Sequence, residues 1–148
     1  MNREIKFRGK RVNGGEWVYG MTISNGTIKR KINNIFFEVA ENKWVGALPE
    51  TLGQYTGLKD KDGKEIYEGD ILKTPRGFIG QVVFGRAEEE CRHKVFGRMV
   101  IDCYTTYGWI FVRGDGYRCA IDDELLEGEI IGNIHDNPEL MKGGSNEA

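Results

Sequence analysis

The segment from Asp60 to Gly63, followed by Glu68 and Asp70, groups carboxylates in a way that is superficially like a calcium-binding loop. Such a loop needs an oxygen ligand two residues after its second Asp and a glycine at its sixth position, whereas this segment has Lys64 and Glu65 there. Carboxylates that flank a hairpin turn are the better interpretation. We therefore predict no metal site in this segment.

Three cysteines, Cys91, Cys103 and Cys119, together with His93, are ligand types that zinc uses, but they lack the compact paired spacing of a structural zinc site. Cys103 and Cys119 fall in strand candidates, where a free thiol behaves as a small buried apolar group. A cysteine and a histidine could act together in nucleophilic catalysis only through tertiary folding, which spacing does not establish. The odd number of cysteines suits a reducing compartment.

His135 and Asp136 bring an imidazole next to a carboxylate, as in a general base and its orienting group. Adjacent side chains usually point apart, however, and Asp136 to Pro138 is first of all a turn. The sequence also contains no phosphate-binding glycine loop, serine nucleophile elbow or paired metal-binding histidines. We predict that the protein is not an enzyme and uses no cofactor.

Basic side chains are concentrated at the start of the chain, where the first 49 residues hold 9 Lys and Arg against 4 Asp and Glu. The rest of the chain holds 12 against 19. Small β-barrels can bind nucleic acids through cations and stacking aromatic rings, so Lys29, Arg30 and Lys31 are the candidate nucleic-acid-binding residues. A pI near 5.8 argues against a general polyanion binder, and opposite charges in the two parts equally fit head-to-tail self-association.

Alternating apolar residues near the start of the chain are typical of strands with one buried side. Residues 4 to 46 predict a meander, in which Asn25-Gly26 turns the chain so that Thr27 to Ile32 returns antiparallel. Leu48 to Leu52 predicts a short helical turn, and Asp122 predicts the cap of another. Residues 86 to 94 are too polar for a buried strand, and we predict a loop or a short solvated helix there.

About nine or ten short strands, little helix and 21 glycines predict an all-β fold of the barrel or sandwich type. We predict a basic β-meander domain over residues 1–53, a second β domain over residues 54–142 and a disordered tail over residues 143–148. No signal peptide and no stretch of about 18 apolar residues is present, so we predict a cytoplasmic protein without membrane association.

The segment from Gln54 to Ile71 closely resembles the YopX family of phage and prophage proteins. The same resemblance returns at Ile5 to Arg8, at Ile131 to Ile134 and at Asn137 to Leu140, so it brackets nearly the whole chain. One departure is Gly9-Lys10, where family members often carry Ala-Trp. The resemblance implies an SH3-type small β-barrel over residues 54–142 and a gene carried by bacteriophages or integrated elements, hence the cytoplasm of a host bacterium. It implies no established activity.

Aromatic residues near the end of the second domain offer material for a peptide groove or an exposed sheet edge: Tyr104, Tyr107, Trp109, Phe111 and Tyr117. Because Tyr107, Trp109 and Phe111 project to one face and Ile110 and Val112 to the other, we expect this strand to be covered on both sides. We predict a phage accessory protein that is a non-catalytic protein-interaction or self-associating module, with a host protein, a phage protein or a second copy as partner. The alternative is a nucleic-acid-binding β-barrel.

Overall fold

The computed structural model describes residues 4–20, 23–25, 35–41 and 43–143. Antiparallel strands dominate these residues, which confirms the all-β prediction. The strands are β1 Phe7–Lys10, β2 Trp17–Gly20, β3 Ile23–Asn25, β4 Ile35–Ala40, β5 Lys43–Ala47, β6 Gly53–Lys59, β7 Glu65–Tyr67, β8 Asp70–Lys73, β9 Ile79–Val95, β10 Arg98–Arg113, β11 Arg118–Ala120 and β12 Glu129–Asn133. The helical elements are a 3-10 helix Pro49–Thr51, α1 Asp123–Leu126 and α2 Leu140–Gly143.

The chain divides into two compact units. The first unit is Met1–Leu58 with Glu65–Tyr67, and it holds a sheet ordered β2-β1-β6-β7 and a sheet ordered β3-β4-β5. The second unit is Lys59–Lys64 with Glu68–Ala148, and it holds a sheet ordered β11-β10-β9-β8-β12.

Phe37 on β4 is the centre of the core in the first unit, where its side chain is fully buried. Two glycines make room for its ring, since a Cβ atom at Gly9 would lie 3.0 Å from Phe37 Cε1 and one at Gly20 would lie 3.3 Å from Phe37 Cδ2. Glycine at these two positions allows the backbones of β1 and β2 to approach the aromatic ring closely.

The core of the second unit is aliphatic with one aromatic ring, and its fully buried side chains are Ile71, Leu72, Val82, Ile110 and Phe111. Ile110 and Phe111 are neighbours in β10 and therefore project to opposite faces. The burial of both confirms that the strand is covered on both sides at Ile110 and Phe111, but the same expectation is wrong for Tyr107, which is exposed.

Both predicted helical turns are confirmed, as the 3-10 helix after Leu48 and as α1, whose first turn is capped when Asp122 Oδ1 accepts a hydrogen bond from Leu125 N at 2.9 Å. None of the three sheets closes into a barrel within the described residues, so the SH3-type barrel is not confirmed. The predicted strand from Thr27 to Ile32 and residues 144–148 of the predicted tail lie outside the described residues.

The prediction of a loop or short helix over residues 86 to 94 is wrong, because β9 continues through them without a break. The prediction assumed that a strand buries one of its two faces. Here both faces are largely exposed, and the strand is held by its pairing to β10 rather than by burial.

Candidate functional site

An arm of two strands extends from the five-stranded sheet of the second unit. β9 and β10 pair along their whole length, but β8 pairs with β9 only as far as Gln81 and β11 pairs with β10 only as far as Ile110. Among the described residues, positions 86–107 therefore have one strand partner each, and we call this two-stranded ribbon the arm. Isolated two-stranded ribbons are marginally stable in water, so an arm of this length needs an explanation.

The tip of the arm is the two-residue turn Phe96-Gly97. The φ angles of these residues are +51° and +79°, as a type I′ turn requires at both central positions. Glycine adopts this conformation without strain, but phenylalanine does so at a steric cost. The Phe96 ring is fully exposed. The strained backbone and the exposed ring of Phe96 both cost free energy of folding. Such costly features cluster at functional sites, so the tip is a candidate site.

Other large apolar side chains are exposed along the arm, including Tyr107 with 75% of its surface accessible. The others are Val95, Met99, Ile101 and Tyr104. Together with Phe96 they give the arm six large apolar side chains that are exposed to solvent.

The charges of the arm are segregated along its length. Glu88, Glu89 and Glu90 lie nearer the sheet, whereas Arg92 and Lys94 lie nearer the tip. Glu90 pairs with Arg92 at 3.5 Å on the exposed surface, a contact that contributes little to stability. The arm thus presents an acidic segment followed by a basic one.

The root of the arm is anchored by β11. Arg118 Nε donates a hydrogen bond to the carbonyl oxygen of Arg86 at 3.0 Å, and Ala120 N donates one to Glu89 Oε2 at 3.4 Å. Ala87 between them is buried. The arm therefore leaves the sheet in a defined direction.

A pair of facing glycines, Gly85 on β9 and Gly108 on β10, lies just below this root. Gly108 has φ +141°, a conformation that other residues rarely adopt. Buried positions on β9 change from even-numbered at Val82 to odd-numbered at Ala87 across this pair, although the strand pairing stays in register. The change in the buried face of β9 therefore coincides with two facing residues that lack side chains, one of them in a backbone conformation that favours glycine.

A cleft of about 480 Å³ in the second unit is lined in part by Phe78, Arg113, Tyr117 and Cys119. The Arg113 guanidinium carbon lies 4.4 Å from the centre of the Phe78 ring and 4.8 Å from that of Tyr117, and Arg113 Nη2 donates to Asp115 Oδ2 at 2.5 Å. That hydrogen bond raises the pKa of Arg113 and lowers the pKa of Asp115. Burial raises the pKa of Cys119 to about 11, so its thiol is a poor nucleophile at neutral pH.

The carboxylate of Asp60 has a structural role in the second unit. Its Oδ1 accepts hydrogen bonds from Asp62 N and Lys64 N, both at 2.9 Å, and its Oδ2 accepts one from Ile130 N at 3.0 Å. Burial alone would raise the pKa of Asp60, but the three backbone donors outweigh burial and hold the pKa below its usual value. Gly63, with φ +80°, completes the turn that this carboxylate caps.

Cations of β1 and of the residue before it are engaged within the first unit. The Arg8 guanidinium lies 4.6 Å from the Trp17 ring centre and 5.1 Å from that of Tyr67, and only 5% of Arg8 is exposed. Lys6 Nζ donates to Glu65 Oε2 at 2.5 Å, and this hydrogen bond raises the pKa of Lys6. Burial raises the pKa of Tyr67. These cations therefore serve packing and ion pairing inside the unit.

The candidate nucleic-acid-binding residues Lys29, Arg30 and Lys31 lie outside the described residues. Of the thiols predicted to be buried, Cys119 is half-buried, but Cys103 is exposed on the arm. The prediction for Cys103 is wrong because its strand has an uncovered face at that position.

The arm is the feature that the sequence-based predictions missed. Its local signal is weak: Gly97 stands among the β-formers Val95, Val100 and Ile101, but Phe96-Gly97 is not one of the dipeptides typical of a two-residue hairpin. The polar residues before Val95 hid that signal, because polar runs are more often loops than strands.

Within the described part of the chain, no helix is long and apolar enough to cross a membrane. The same part of the chain contains no group of three or more His, Cys, Asp and Glu side chains placed to hold a metal ion.

Comparison with known proteins gives a family match and a match to a solved structure. The crystal structure of protein EF1440 from Enterococcus faecalis is 23% identical in sequence, covers 95% of this chain and 99% of its own, and aligns with a TM-score of 0.43. No curated protein matches the chain. The family model described as YopX protein matches residues 6–142. This chain belongs to the YopX family.

Proposed function

We propose that this protein is a non-catalytic protein-interaction module of phage or prophage origin, which acts in the cytoplasm of a host bacterium and binds its partner through the arm. The observation that carries the proposal is the arm itself, a two-stranded ribbon over residues 86–107 with Phe96, Tyr107 and other large apolar side chains exposed. Exposed apolar surface of this kind is unfavourable in water and is retained where a partner covers it.

We propose the absence of catalysis because the titratable groups with shifted pKa values in the second unit have structural partners or are buried. Asp60 is saturated by three backbone donors, Arg113 is paired with Asp115, and burial keeps the Cys119 thiol protonated at neutral pH. Each of these groups is explained by local structure. A catalytic group, in contrast, needs a pKa matched to proton transfer and access to a substrate.

The SH3-type barrel implied by the family resemblance belongs to the same proposal. It is supported by contacts of β11, which is an edge strand of its sheet. Arg118 and Ala120 on β11 donate hydrogen bonds to β9, although β10 lies between the two strands in the sheet order. A sheet whose edge strand contacts a strand two positions away is strongly coiled, as small barrels are.

A shortened-arm variant tests the proposed function. Ala87 and Thr106 face each other in the ribbon. They are separated from the tip pair, Val95 and Arg98, by an even number of residues, so both pairs are of the same hydrogen-bonded type. Residues 88–105 can therefore be replaced by an Asn-Gly turn without changing the rest of the ladder. We expect this variant to unfold cooperatively, like the full chain.

The full chain and the shortened-arm variant are then compared by sedimentation equilibrium and by affinity capture from a bacterial lysate. We expect the full chain to gain mass with concentration or to retain a specific protein, and the variant to do neither. A variant in which an exposed apolar residue of the first unit is changed, Ile5→Ser, serves as the matched control and should behave like the full chain. The proposal fails if the shortened-arm variant has the same mass and retains the same proteins as the full chain.

Nucleic-acid binding is the second candidate function, and the tip of the arm favours it. The exposed Phe96 stands in the sequence between Lys94 and Arg98, so the tip carries a stacking group and cations within a few residues of each other. A shift assay with single- and double-stranded DNA and RNA at low and moderate salt tests it, because phosphate contacts weaken steeply with salt. Lack of binding at low salt eliminates this candidate.

A further inference from the structure

The outer edge of β9 in the arm is not paired with any strand among the described residues. Thr74 N bonds to Phe78 O and Gly69 N bonds to Val82 O, so even-numbered residues of this segment direct their backbone polar groups away from β10. The pairing of β9 with β10 is unbroken, and this phase continues to the tip. The carbonyl of Arg86 is used by Arg118.

Beyond Arg86, the even-numbered residues Glu88, Glu90, Arg92 and Lys94 present N–H and C=O groups that no described strand pairs. The helix α2 lies against β9, but every side chain from Glu90 to Lys94 is exposed. An open strand edge of this kind is a template for a further strand.

The sequence along this edge is complementary to itself. Residues 88–94 read Glu-Glu-Glu-Cys-Arg-His-Lys, with three acidic residues before Cys91 and three basic or titratable ones after it. In an antiparallel pair of two such strands with Cys91 opposite Cys91, Glu88 faces Lys94 of the second copy and Glu90 faces Arg92 of the second copy. Opposite charges that face each other across strands stabilise the pair.

In this register the outward backbone N–H and C=O groups of the two strands also pair with each other. The facing residues 88 with 94 and 90 with 92 are all even-numbered, so their outward N–H and C=O groups meet as hydrogen-bonded pairs. A shift of one residue would mismatch these groups, and a shift of two would place Glu90 opposite Glu90 or Arg92 opposite Arg92. A parallel pair in register would put like charges together throughout, and a staggered parallel pair would not have the two-fold symmetry of a closed dimer. Backbone phase and charge therefore select one register.

We propose that two copies of this chain join edge to edge through β9, antiparallel, with the two-fold axis at Cys91. The proposal rests on the proposed function as an interaction module and names its partner as a second copy of the chain. The contact is isologous, and it merges the two arms into one four-stranded sheet held by about eight backbone hydrogen bonds.

Cysteine cross-linking tests the register. At the two-fold axis the Cys91 residues form a non-hydrogen-bonded pair, whose Cα atoms lie about 4.5 Å apart in antiparallel sheets, within disulfide range. A full-length variant that keeps only Cys91, Cys103→Ser/Cys119→Ser, should form a covalent dimer when an added oxidant removes two electrons and two protons from the thiol pair. The matched control Cys91→Ser/Cys119→Ser keeps only Cys103, which is exposed on β10, away from the axis. We expect it to cross-link at least tenfold more slowly.

Charge reversal tests the complementarity in the reduced protein. Sedimentation equilibrium should show that Glu88→Lys/Glu90→Lys weakens the dimer at least tenfold, because like charges then face each other. Adding Arg92→Glu and Lys94→Glu restores the pattern in reverse and should restore the dimer. Three results would each overturn the edge-to-edge dimer. They are equal cross-linking of the two single-cysteine variants, no recovery of the dimer in the variant with all four charges reversed, and a monomer at all concentrations. If the arm is still needed for capture of another protein in that case, the proposed function stands and only the second copy is excluded.

Discussion

The carboxylate of Asp60 allows a direct test of how the segment from Gln54 to Ile71 stabilises the fold. It joins two parts of the second unit, because it caps its own turn through Asp62 N and Lys64 N and also binds Ile130 N on β12. Asp60→Asn changes this group with little change in shape. The new amide oxygen can still accept from the turn, but its NH₂ group then faces the N–H of Ile130 with no acceptor between them.

The expected loss follows from the burial of the three donors. Asp62 and Lys64 are exposed, so water can replace part of what their N–H groups lose. Ile130 is half-buried, and an unsatisfied buried donor costs about 1–3 kcal/mol. We expect Asp60→Asn to lower the free energy of unfolding by about 2 kcal/mol and Asp60→Ala, which loses all three bonds, by about 3 kcal/mol.

The pH dependence separates this effect from a change in packing. Because the pKa of Asp60 is lowered in the folded state, its contribution is present above the unfolded value of about 3.9 and is lost as the pH falls through the folded value. Urea unfolding followed by tryptophan fluorescence should show a gap between wild type and Asp60→Asn that is largest near neutral pH and closes in acid. Asp62→Asn, an exposed neighbour in the same turn, is the control. Equal stability of Asp60→Asn and Asp62→Asn at pH 7 would show that the Asp60 carboxylate does not stabilise the fold in this way.

Three further predictions concern packing and reactivity. Gly80→Ala should destabilise the protein by about 2 kcal/mol or more in urea unfolding, because its Cβ would lie 2.7 Å both from Cζ of the buried Phe111 ring and from the backbone carbonyl oxygen of Val112; a cost near zero would contradict this close packing against β10. The thiol of Cys119, with its pKa raised to about 11, should react with a thiol reagent more slowly than exposed Cys91 between pH 7 and 9, and equal rates would contradict the burial of Cys119. Thr56→Val removes a buried hydroxyl that donates to a strand carbonyl at 2.8 Å, and we expect a loss of about 1–2 kcal/mol by the same unfolding assay, whereas an unchanged midpoint would show that the bond is replaced.

The turns of this protein could be predicted from the sequence because their physics is local. Gly63 has the positive φ that its turn requires, and Asp122 caps the helical turn that follows it. Each of these depends on interactions within a few residues. The alternation of apolar side chains identified the strand class for the same reason, since side-chain direction along a strand is set by the backbone.

The arm and its edge depended on partners that are distant in sequence. Residues 86–94 carry no apolar alternation of their own, and they form a strand because β10 supplies hydrogen bonds to every second residue. The second oxygen of Asp60 finds its donor 70 residues further along the chain, at Ile130. Whether a polar segment is a loop or a strand is decided by such non-local pairing.

The sequence by itself therefore determined the family, the all-β class and the local turns. Only the tertiary structure decided which strands lack neighbours. That distinction carries the proposed edge-to-edge dimer. The segment from Glu88 to Lys94 predicts a loop or a solvated helix from its sequence, but it forms an open strand edge because β10 holds it extended. The physical reason is that unpaired backbone groups become a binding surface only when a neighbouring strand fixes their direction.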